Sequence, residues 1–174
     1  MREKPVAFSE SQMEEIEVCL DELVRNTGAQ EILLANIAGR LISARGRLGE
    51  RETTATGVAA LSAGGYAATV EMARYFEIET EFRQISYEGE HHSIYSSTVG
   101  NALIITVVYD HSVKLGIVRA FTNQAAQCLQ DIVNRALAEM ETDDQLPREE
   151  ALGTEFSQAL MDELETFLVE EGSQ

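Results

Sequence analysis

The chain has 174 residues, of which 44% are hydrophobic, and its formal net charge is −17. A chain of this size fits one domain that can bury a core without disulfides or metals. The negative charge argues against nucleic acid or an anionic membrane as the main partner, because phosphate binding needs clustered Lys and Arg. Residues 1–12 lack the apolar core of a signal peptide, and no apolar run reaches the roughly 20 residues that span a bilayer, so we expect a cytoplasmic protein without membrane insertion.

A helix is the first predicted element, and it follows an N-terminal leader of residues 1–10. Ser11 and Glu14 have the Ser-x-x-Glu form of a capping box. Apolar residues between positions 13 and 24 then recur at helical spacing until Gly28 supplies a stop. We therefore expect the main domain to open with a helix at residue 11.

A β-hairpin is predicted next, from two apolar runs of strand length, residues 31–37 and 41–45. The turn between them contains Gly39, at which a positive φ costs little. An arginine-rich stretch leads from this hairpin into the second helix and forms the only basic cluster in the sequence: Arg40, Arg45, Arg47 and Arg51. The cluster is either a solvated loop or a contact for an acidic partner or an anion.

Residues 54–76 form a helix-length segment in which nearly half of the positions are Ala or Gly. One stripe at helical spacing carries larger apolar side chains, which we expect to pack on a sheet: Val58, Leu61, Met72 and Phe76. The other stripe is almost without side chains: Gly57, Ala60, Gly64, Ala67, Ala68 and Glu71. Because Gly in a helix costs roughly 1 kcal/mol relative to Ala, this stripe predicts close approach by another backbone, either in the same domain or in another molecule.

Three further strands are predicted after this helix. Residues 79–87 and 91–99 form a polar-rich hairpin in which Phe82 and Ile85 fall on opposite faces, which indicates either a bulge or a surface buried by a second subunit. Residues 102–109 are continuously apolar and predict a central strand that is covered on both faces.

Two helices complete the predicted order. A long apolar stripe at helical spacing runs from about residue 112 to residue 140. Residues 142–174 are predicted to contain an acidic linker and a C-terminal amphipathic helix, after a main domain of residues 11–141. The whole is an α/β chain of the α+β type, α-β-β-α-β-β-β-α plus the C-terminal helix, with a five-stranded antiparallel sheet between helices.

The sequence shows no pattern of a catalytic or metal site. It lacks the phosphate-binding loop, the dinucleotide fingerprint, the nucleophile elbow and the zinc-protease motif. His91 and His92 are adjacent in a predicted strand, so they point to opposite faces and do not readily share a metal. Cys19 and Cys128 lie among apolar residues at helical spacing and are expected to be buried free thiols. We therefore expect no catalytic residue, no metal and no cofactor, and a protein that works by binding.

Four segments carry a resemblance to a known family: LLANIAGRLISARG, GVAALSAGGYAATVEMARYF, ALIITVVYD and SVKLGIVRAFTNQAAQCL. Together they resemble the Roadblock, or dynein light chain, family, and within it the bacterial MglB-like branch, whose members are partners of MglA-type small GTPases in cell polarity. The resemblance covers roughly residues 13–140 of this chain. It implies the Roadblock fold, in which the first and third helices cover one face of the sheet and the second helix covers the other.

The resemblance also implies partners. Two copies would join as a homodimer through the second helix and the third strand, with an interface at Gly57, Leu61, Phe82, Ile85 and Tyr87. The paired helices would form a platform for a Ras-like small GTPase, at Ala60, Gly64, Ala67, Ala68 and Glu71. Further candidate contacts are Arg45, Arg47 and Arg51 and, in the C-terminal helix, Phe156, Leu160 and Leu164.

The function that the resemblance implies is that of a non-enzymatic regulator that activates GTP hydrolysis by its partner. Activation of a GTPase works through an inserted arginine finger or through a shift of the GTPase's own switch loops. The resemblance to allosteric activators favours the second route. The alternative is a scaffold that binds a GTPase or a signalling complex without stimulating hydrolysis.

Overall fold

A five-stranded antiparallel sheet lies at the centre of the fold. The computed structural model describes residues 6–78 and 82–145. The helices are α1 (Glu10–Thr27), α2 (Glu52–Tyr75) and α3 (Leu115–Gln145), and the strands are β1 (Glu31–Asn36), β2 (Leu41–Arg45), β3 (Gln84–Glu88), β4 (His92–Val99) and β5 (Leu103–Asp110). The strand order in the sheet is β2-β1-β5-β4-β3. The predicted order of elements, α-β-β-α-β-β-β-α, is confirmed.

The chain divides by its internal contacts into two units, Met1–Leu137 and Ala138–Gln174. The first unit contains the sheet, α1, α2 and most of α3. Of the second unit the structure describes the end of α3, where the Thr142 hydroxyl donates to the Ala138 carbonyl at 2.9 Å. The linker predicted to start at residue 142 is therefore helical as far as Gln145. The predicted C-terminal helix lies outside the described residues.

The main hydrophobic core lies between α1, α3 and one face of the sheet. Ile16 and Leu20 of α1 and Leu129 of α3 are fully buried there, together with Leu34 and Ile105 of the sheet. Burial of one such side chain contributes roughly 1.5–3 kcal/mol relative to leaving it exposed. Strand β5 is buried along most of its length, so its prediction as a covered central strand is confirmed.

Helix α1 begins earlier than predicted. Its N-cap is Ser9, whose hydroxyl accepts from the Gln12 amide at 3.3 Å, while the Gln12 side chain accepts from the Ser9 amide at 2.9 Å. The predicted box of Ser11 and Glu14 is therefore wrong. Both pairs have the same spacing, and the buried position of Gln12 favours the earlier one. Gly28 ends the helix at a φ of 65°, as predicted.

Helix α2 packs on the opposite face of the sheet through small residues. Ala55, Ala59 and Ala63 recur every four residues along the helix and are buried. The first two form a second core cluster with Leu33 and Ala35 of β1. The face of α2 that touches the sheet is therefore a row of methyl groups.

The prediction that the larger apolar stripe of α2 packs on the sheet is confirmed for Val58, which packs against the second core cluster, and is wrong for the other three residues. Its members are half-buried or exposed: Val58, Leu61 (77% exposed), Met72 (48%) and Phe76 (72%). The sheet beneath α2 is polar at its centre, where the Thr106 hydroxyl of β5 donates to the Ser62 hydroxyl of α2 at 3.0 Å. This bond requires the helix to lie close to the sheet, and alanine side chains permit that approach where leucine would not.

Strand β3 is shorter than predicted and lies at an edge of the sheet. It pairs with β4 in unbroken register, from Gln84 opposite Ser97 to Glu88 opposite Ser93. Phe82 precedes the strand, and residues 79–81 lie outside the described residues. The opposite parity of Phe82 and Ile85 therefore needs no bulge, which leaves burial by a second subunit as the open alternative. None of the helices within the described ranges is long and apolar enough to cross a membrane.

Candidate partner-binding surface

The outward face of α2 carries small residues with free space above them. Gly57 and Gly64 are exposed, and a Cβ built on either would meet no atom within 4 Å. Ala68 and Glu71 follow Gly64 by one and two helical turns and are also exposed. Nothing in residues 6–78 or 82–145 covers Gly57 or Gly64 closely, so this face is open to another molecule.

One flank of α2 faces the edge strand β3. The Tyr87 hydroxyl lies 3.1 Å from the position that a Cβ on Gly65 would take. Leu61 and Met72 stand one turn before and two turns after Gly65, so they share its side of the helix. Leu61, Met72 and Tyr87 are all exposed, so this flank and the neighbouring β3 both present large apolar side chains to solvent.

Exposed large hydrophobic side chains concentrate around this flank, in α2, in the segment that follows it, in β3 and in the neighbouring β4. They are Leu61, Met72, Tyr75, Phe76, Ile78, Phe82, Tyr87 and Ile94. Contiguous exposed apolar surface of this kind marks interaction sites in proteins that are soluble as monomers or assemblies. We call these eight residues the apolar flank.

Ile85 and Tyr87 lie on the face of the sheet that α2 covers. Ile85 is opposite Ser96 in the ladder, and the Ser96 hydroxyl lies 3.1 Å from Thr106, which donates to Ser62 of α2. Tyr87 is two residues further along the strand and therefore on the same face. The outer edge of β3 pairs with no strand among the described residues, so its backbone groups are available to another strand.

The other flank of α2 meets the turn between β1 and β2. A Cβ on Gly39, whose φ is +83°, would lie 3.0 Å from the Cα of Ala60 and 3.4 Å from the Cβ of Ala63. A side chain at residue 39 is therefore excluded by both conformation and space. Close approach within the same domain accounts for Ala60, but it does not account for Gly64, where a Cβ would meet no described residue within 4 Å.

The structure separates most of the predicted dimer residues from most of the predicted platform residues. The dimer set lies on the outward face and towards β3: Gly57, Leu61, Phe82, Ile85 and Tyr87. The platform set is entirely exposed and lies on the outward face and the opposite flank: Ala60, Gly64, Ala67, Ala68 and Glu71. The Glu71 carboxylate pairs with Arg74 at 3.0 Å, so the one charge of the platform set is partly neutralised.

Two of the predicted arginine contacts are held by carboxylates of α1 and β1. The Arg45 guanidinium pairs with Asp21 at 2.5 Å and with Glu17 at 3.7 Å, and its side chain is only 21% exposed. Arg47 pairs with Glu31 at 3.3 Å, but its side chain is 85% exposed. Arg45 is therefore part of the subunit's own packing, whereas Arg47 is accessible to a partner.

Glu31 also fixes the loop that leads into α2. Its carboxylate accepts from the Leu48 amide at 2.8 Å. Gly46 begins this loop at a φ of +83°, where an added Cβ would lie 2.1 Å from the Gln30 carbonyl oxygen. Arg51 follows as the exposed N-cap of α2, and its side chain forms no ion pair within the described part of the chain. Helix α2 begins at Glu52, two residues before the segment predicted for it.

The described residues hold no group of three or more His, Cys, Asp and Glu side chains that could bind a metal. His111 Nε2 lies 2.6 Å from the Glu90 carbonyl oxygen, at the end of the β3–β4 hairpin. The Ser112 hydroxyl and amide donate to the Asp110 carboxylate at 2.5 and 2.8 Å, and these bonds hold the pKa of Asp110 below its ordinary value. These polar groups hold the hairpin end and the start of α3.

The two cysteines differ in exposure. Cys19 is buried, as expected, but Cys128 is exposed, so the expectation of a buried thiol is wrong for this residue. Leu129, the next residue of α3, occupies the buried side of the helix, which leaves Cys128 at the border of the core.

Sequence reasoning assigns Met72 and Phe76 to the core and does not identify Tyr75, Ile78 or Ile94 as surface residues. The signal that could have found them is the row of alanines at a spacing of four in α2. If this row is taken as the face that packs on the sheet, the larger stripe must point outwards. The candidate contacts Phe156, Leu160 and Leu164 lie outside the described residues.

The Roadblock/LC7 domain model matches residues 15–109 of the chain. The structure is similar to Myxococcus xanthus MglB, with 28% identity and a TM-score of 0.68 over 75% of this chain and 96% of that chain. It is also similar to the gliding protein MglB from Thermus thermophilus (25% identity, TM-score 0.68, 76% and 99% covered) and to an MglB with a tetrameric arrangement (26%, 0.69, 77% and 99%). No curated protein matches the chain. Since the domain match spans more than half of its residues, the chain belongs to the Roadblock/LC7 family.

Proposed function

We propose that this protein is a cytoplasmic, non-enzymatic, homodimeric regulator of a Ras-like small GTPase, and that it stimulates GTP hydrolysis by repositioning the switch loops of that GTPase. The observation that carries the proposal is the open face of α2 at Gly57 and Gly64, bordered by the apolar flank and by an edge strand. The similarity to MglB structures supports it, because the resemblance of the sequence to that branch implies a small GTPase as partner.

The apolar flank is the dimer contact in this proposal. Two copies of β3 that pair along their free edges would satisfy the backbone groups there and extend the sheet through both subunits. Such pairing would also bring Phe82, Tyr87 and Leu61 against the second copy. Each Å² of apolar surface that this contact removes from water contributes roughly 25 cal/mol to the free energy of association. One of the similar MglB structures has a tetrameric arrangement, so assembly occurs in that protein.

The small-residue face is the GTPase contact. Gly64 and Ala68 present almost no side chain, so a partner backbone could come as close as the helix itself allows. Glu71, at the end of this face, already pairs with Arg74, which reduces the net charge that a partner meets. A long side chain at residue 64 would hold the partner away, whereas one at the far side of the molecule would not.

The switch-loop route is favoured by the resemblance to allosteric activators, and the arginines provide its test. An inserted arginine finger contributes about 10³ to 10⁵ in rate, and it needs a guanidinium that is free to move. Arg45 is engaged by Asp21 and Glu17, so the exposed Arg40, Arg47 and Arg51 are the remaining candidates. We expect Arg47→Ala and Arg51→Ala to change stimulated hydrolysis by no more than a few-fold. A loss of about a thousandfold with binding intact would instead identify a finger.

The central experiment measures GTP turnover by a small GTPase that co-purifies with this protein, with and without Gly64→Arg. The matched control is Gly116→Arg in α3, because both glycines are exposed, helical and without a neighbour within 4 Å of an added Cβ. We expect Gly64→Arg to fold but to lose stimulation, and Gly116→Arg to retain it. Full stimulation by Gly64→Arg would refute the proposed face, and binding without stimulation by the unaltered protein would identify a scaffold.

Dimerisation is tested separately by light scattering. Leu61→Asp places a charge in the apolar flank, where burial against a second copy would require its desolvation. We expect this variant to be a folded monomer. A dimer of unchanged affinity would show that the subunits join elsewhere.

A further inference from the structure

Two cysteines meet where α1 packs against α3, on the face of the sheet opposite to α2. Cys19 of α1 is 5% exposed, and its thiol donates to the Ala125 carbonyl of α3 at 3.6 Å. Ala125 precedes Cys128 by three residues, so both lie on the side of α3 that faces Cys19. The two cysteines are therefore neighbours in space although 109 positions of chain connect them, from residue 19 to residue 128.

The two cysteines line one surface pocket. The other lining residues are three polar ones, Glu22, Asn26 and Gln124, and three apolar ones, Leu23, Phe121 and Ala125. Cys128, one of the residues that line the pocket, is exposed to solvent. A small polar molecule can therefore reach the Cys128 sulfur without any movement of the helices.

We propose that Cys19 and Cys128 form a reversible oxidation site, at which hydrogen peroxide converts the two thiols into a disulfide between α1 and α3. The Cys128 thiol gives up its proton and its sulfur attacks one peroxide oxygen, so the O–O bond breaks and Cys128 becomes a sulfenic acid. The departing hydroxide takes that proton and leaves as the first water. The Cys19 sulfur then attacks the Cys128 sulfur, the S–O bond breaks, and the second water leaves with the Cys19 proton. The two thiols lose two electrons in total, and the peroxide gains them.

The difference in burial assigns the two roles. Cys128 is exposed, so it meets the oxidant first. Burial, and after it the hydrogen bond with Cys128, raise the pKa of Cys19 to about 12, so Cys19 keeps its proton at neutral pH and does not react with peroxide on its own. Cys19 is thus the residue that resolves the sulfenic acid, and a dithiol reductant reverses the bond by exchange.

This inference does not depend on the proposed GTPase function. Cys19 belongs to the core cluster of α1 and α3, and Cys128 shares a pocket with it, whereas the outward face of α2 and the apolar flank lie on the other side of the sheet. A dimer formed through α2 and β3 would leave the pocket uncovered. Oxidation can therefore occur in the assembled protein.

The experiment treats the reduced full-length protein with hydrogen peroxide, then denatures it, alkylates it with a maleimide and measures its intact mass. We expect the mass to fall by two hydrogen atoms, with neither cysteine alkylated until dithiothreitol is added. In Cys19→Ser, which lacks the resolving thiol, Cys128 should accumulate a sulfenic acid that dimedone traps. In Cys128→Ser, Cys19 should remain a thiol.

Two results would overturn the inference, and both are read from the unaltered protein, so they do not depend on the folding of a variant. The first is oxygen uptake at Cys128 while Cys19 is fully alkylated after denaturation. The second is a disulfide that links two chains, seen as a dimer on a non-reducing denaturing gel.

Discussion

Gly64→Ala should separate the stability of the chain from binding by the outward face of α2. Gly64 lies inside the helix, and a Cβ at this residue meets no atom within 4 Å. Because Gly is about 0.5–1 kcal/mol less favourable than Ala in a helix interior, the single chain should gain about that much stability. If another backbone packs on Gly64, the same methyl group overfills the contact and weakens association by about 1–3 kcal/mol, roughly 5- to 150-fold.

The assay is urea unfolding at several protein concentrations, combined with titration of the GTPase. The concentration-dependent part of the unfolding midpoint belongs to association, and the remainder belongs to the single chain. Gly116→Ala is the control, since Gly116 is also helical, exposed and without neighbours within 4 Å. It lies in the first turn of α3, so its gain should be smaller, and it should leave both dimerisation and GTPase binding unchanged.

Two outcomes would refute this reasoning. A single chain that loses stability on Gly64→Ala would show that another part of the same chain lies over this residue. Unchanged dimerisation together with unchanged GTPase binding would show that no partner uses the outward face.

Three further changes test the packing. Leu61→Ala, at an exposed residue, should change the free energy of unfolding of the single chain by less than about 0.5 kcal/mol, whereas Leu33→Ala, at a buried residue, should lower it by about 2–5 kcal/mol. Equal losses in denaturant unfolding would contradict the observed orientation of α2. Gly46→Ala should lower the free energy of unfolding by more than about 1 kcal/mol, because the φ of +83° is strained for alanine and its Cβ would meet a backbone carbonyl; an unchanged melting temperature would count against this. The Arg135 guanidinium holds the pKa of Glu15 below its ordinary value, so Arg135→Ala should raise that pKa in a carboxyl NMR titration. A carboxyl whose pKa is lowered in the folded state stabilises the fold at pH values above its ordinary pKa. This stabilisation is lost as the pH falls through the folded-state pKa, so the unaltered protein should lose more stability than the variant on acidification.

The spacing of apolar residues was sufficient to predict α1 and β5, because each of them has only one candidate set of residues for the core. Ile16, Leu20 and Leu23 form a single apolar stripe in α1, and nothing competes with it for the core. Residues 103–107 of β5 are apolar or β-branched without interruption and are all buried. Because these elements present one choice each, their type and burial follow from spacing alone.

Helix α2 offers two stripes, and its spacing does not decide between them. Large side chains usually mark the buried side of a helix, but here the alanines are buried and Leu61 is exposed. The decision is made by the sheet face beneath, where Thr106 donates to Ser62 across 44 positions of chain. Such a contact is invisible in a local window.

The candidate surface on α2 could likewise be predicted only in part. The small residues of α2 predict that another backbone comes close to the helix, but the sequence does not show whether that backbone belongs to the same chain or to a partner. At Ala60 the approach comes from Gly39 within the chain, and at Gly64 no described residue supplies it. The capping box of α1 was predicted at Ser11, but it lies at Ser9, and spacing alone does not separate them because each serine is followed by Gln or Glu three residues later.

Helix α2 has alanines on the side that packs on the sheet and glycines on its outward side, so few side-chain atoms lie between the sheet and the outward surface. The Cα atoms of a helix lie about 2.3 Å from its axis, and the side chains of Ala59 and Gly64 add at most one methyl group to that radius. Flexible side chains, which would absorb small movements, are missing at Ala59 on the inner side and at Gly64 on the outer side. A shift of β1 or β5 would therefore reach the outward surface almost undiminished, so the position of that surface is set by the strands rather than by side-chain rotamers.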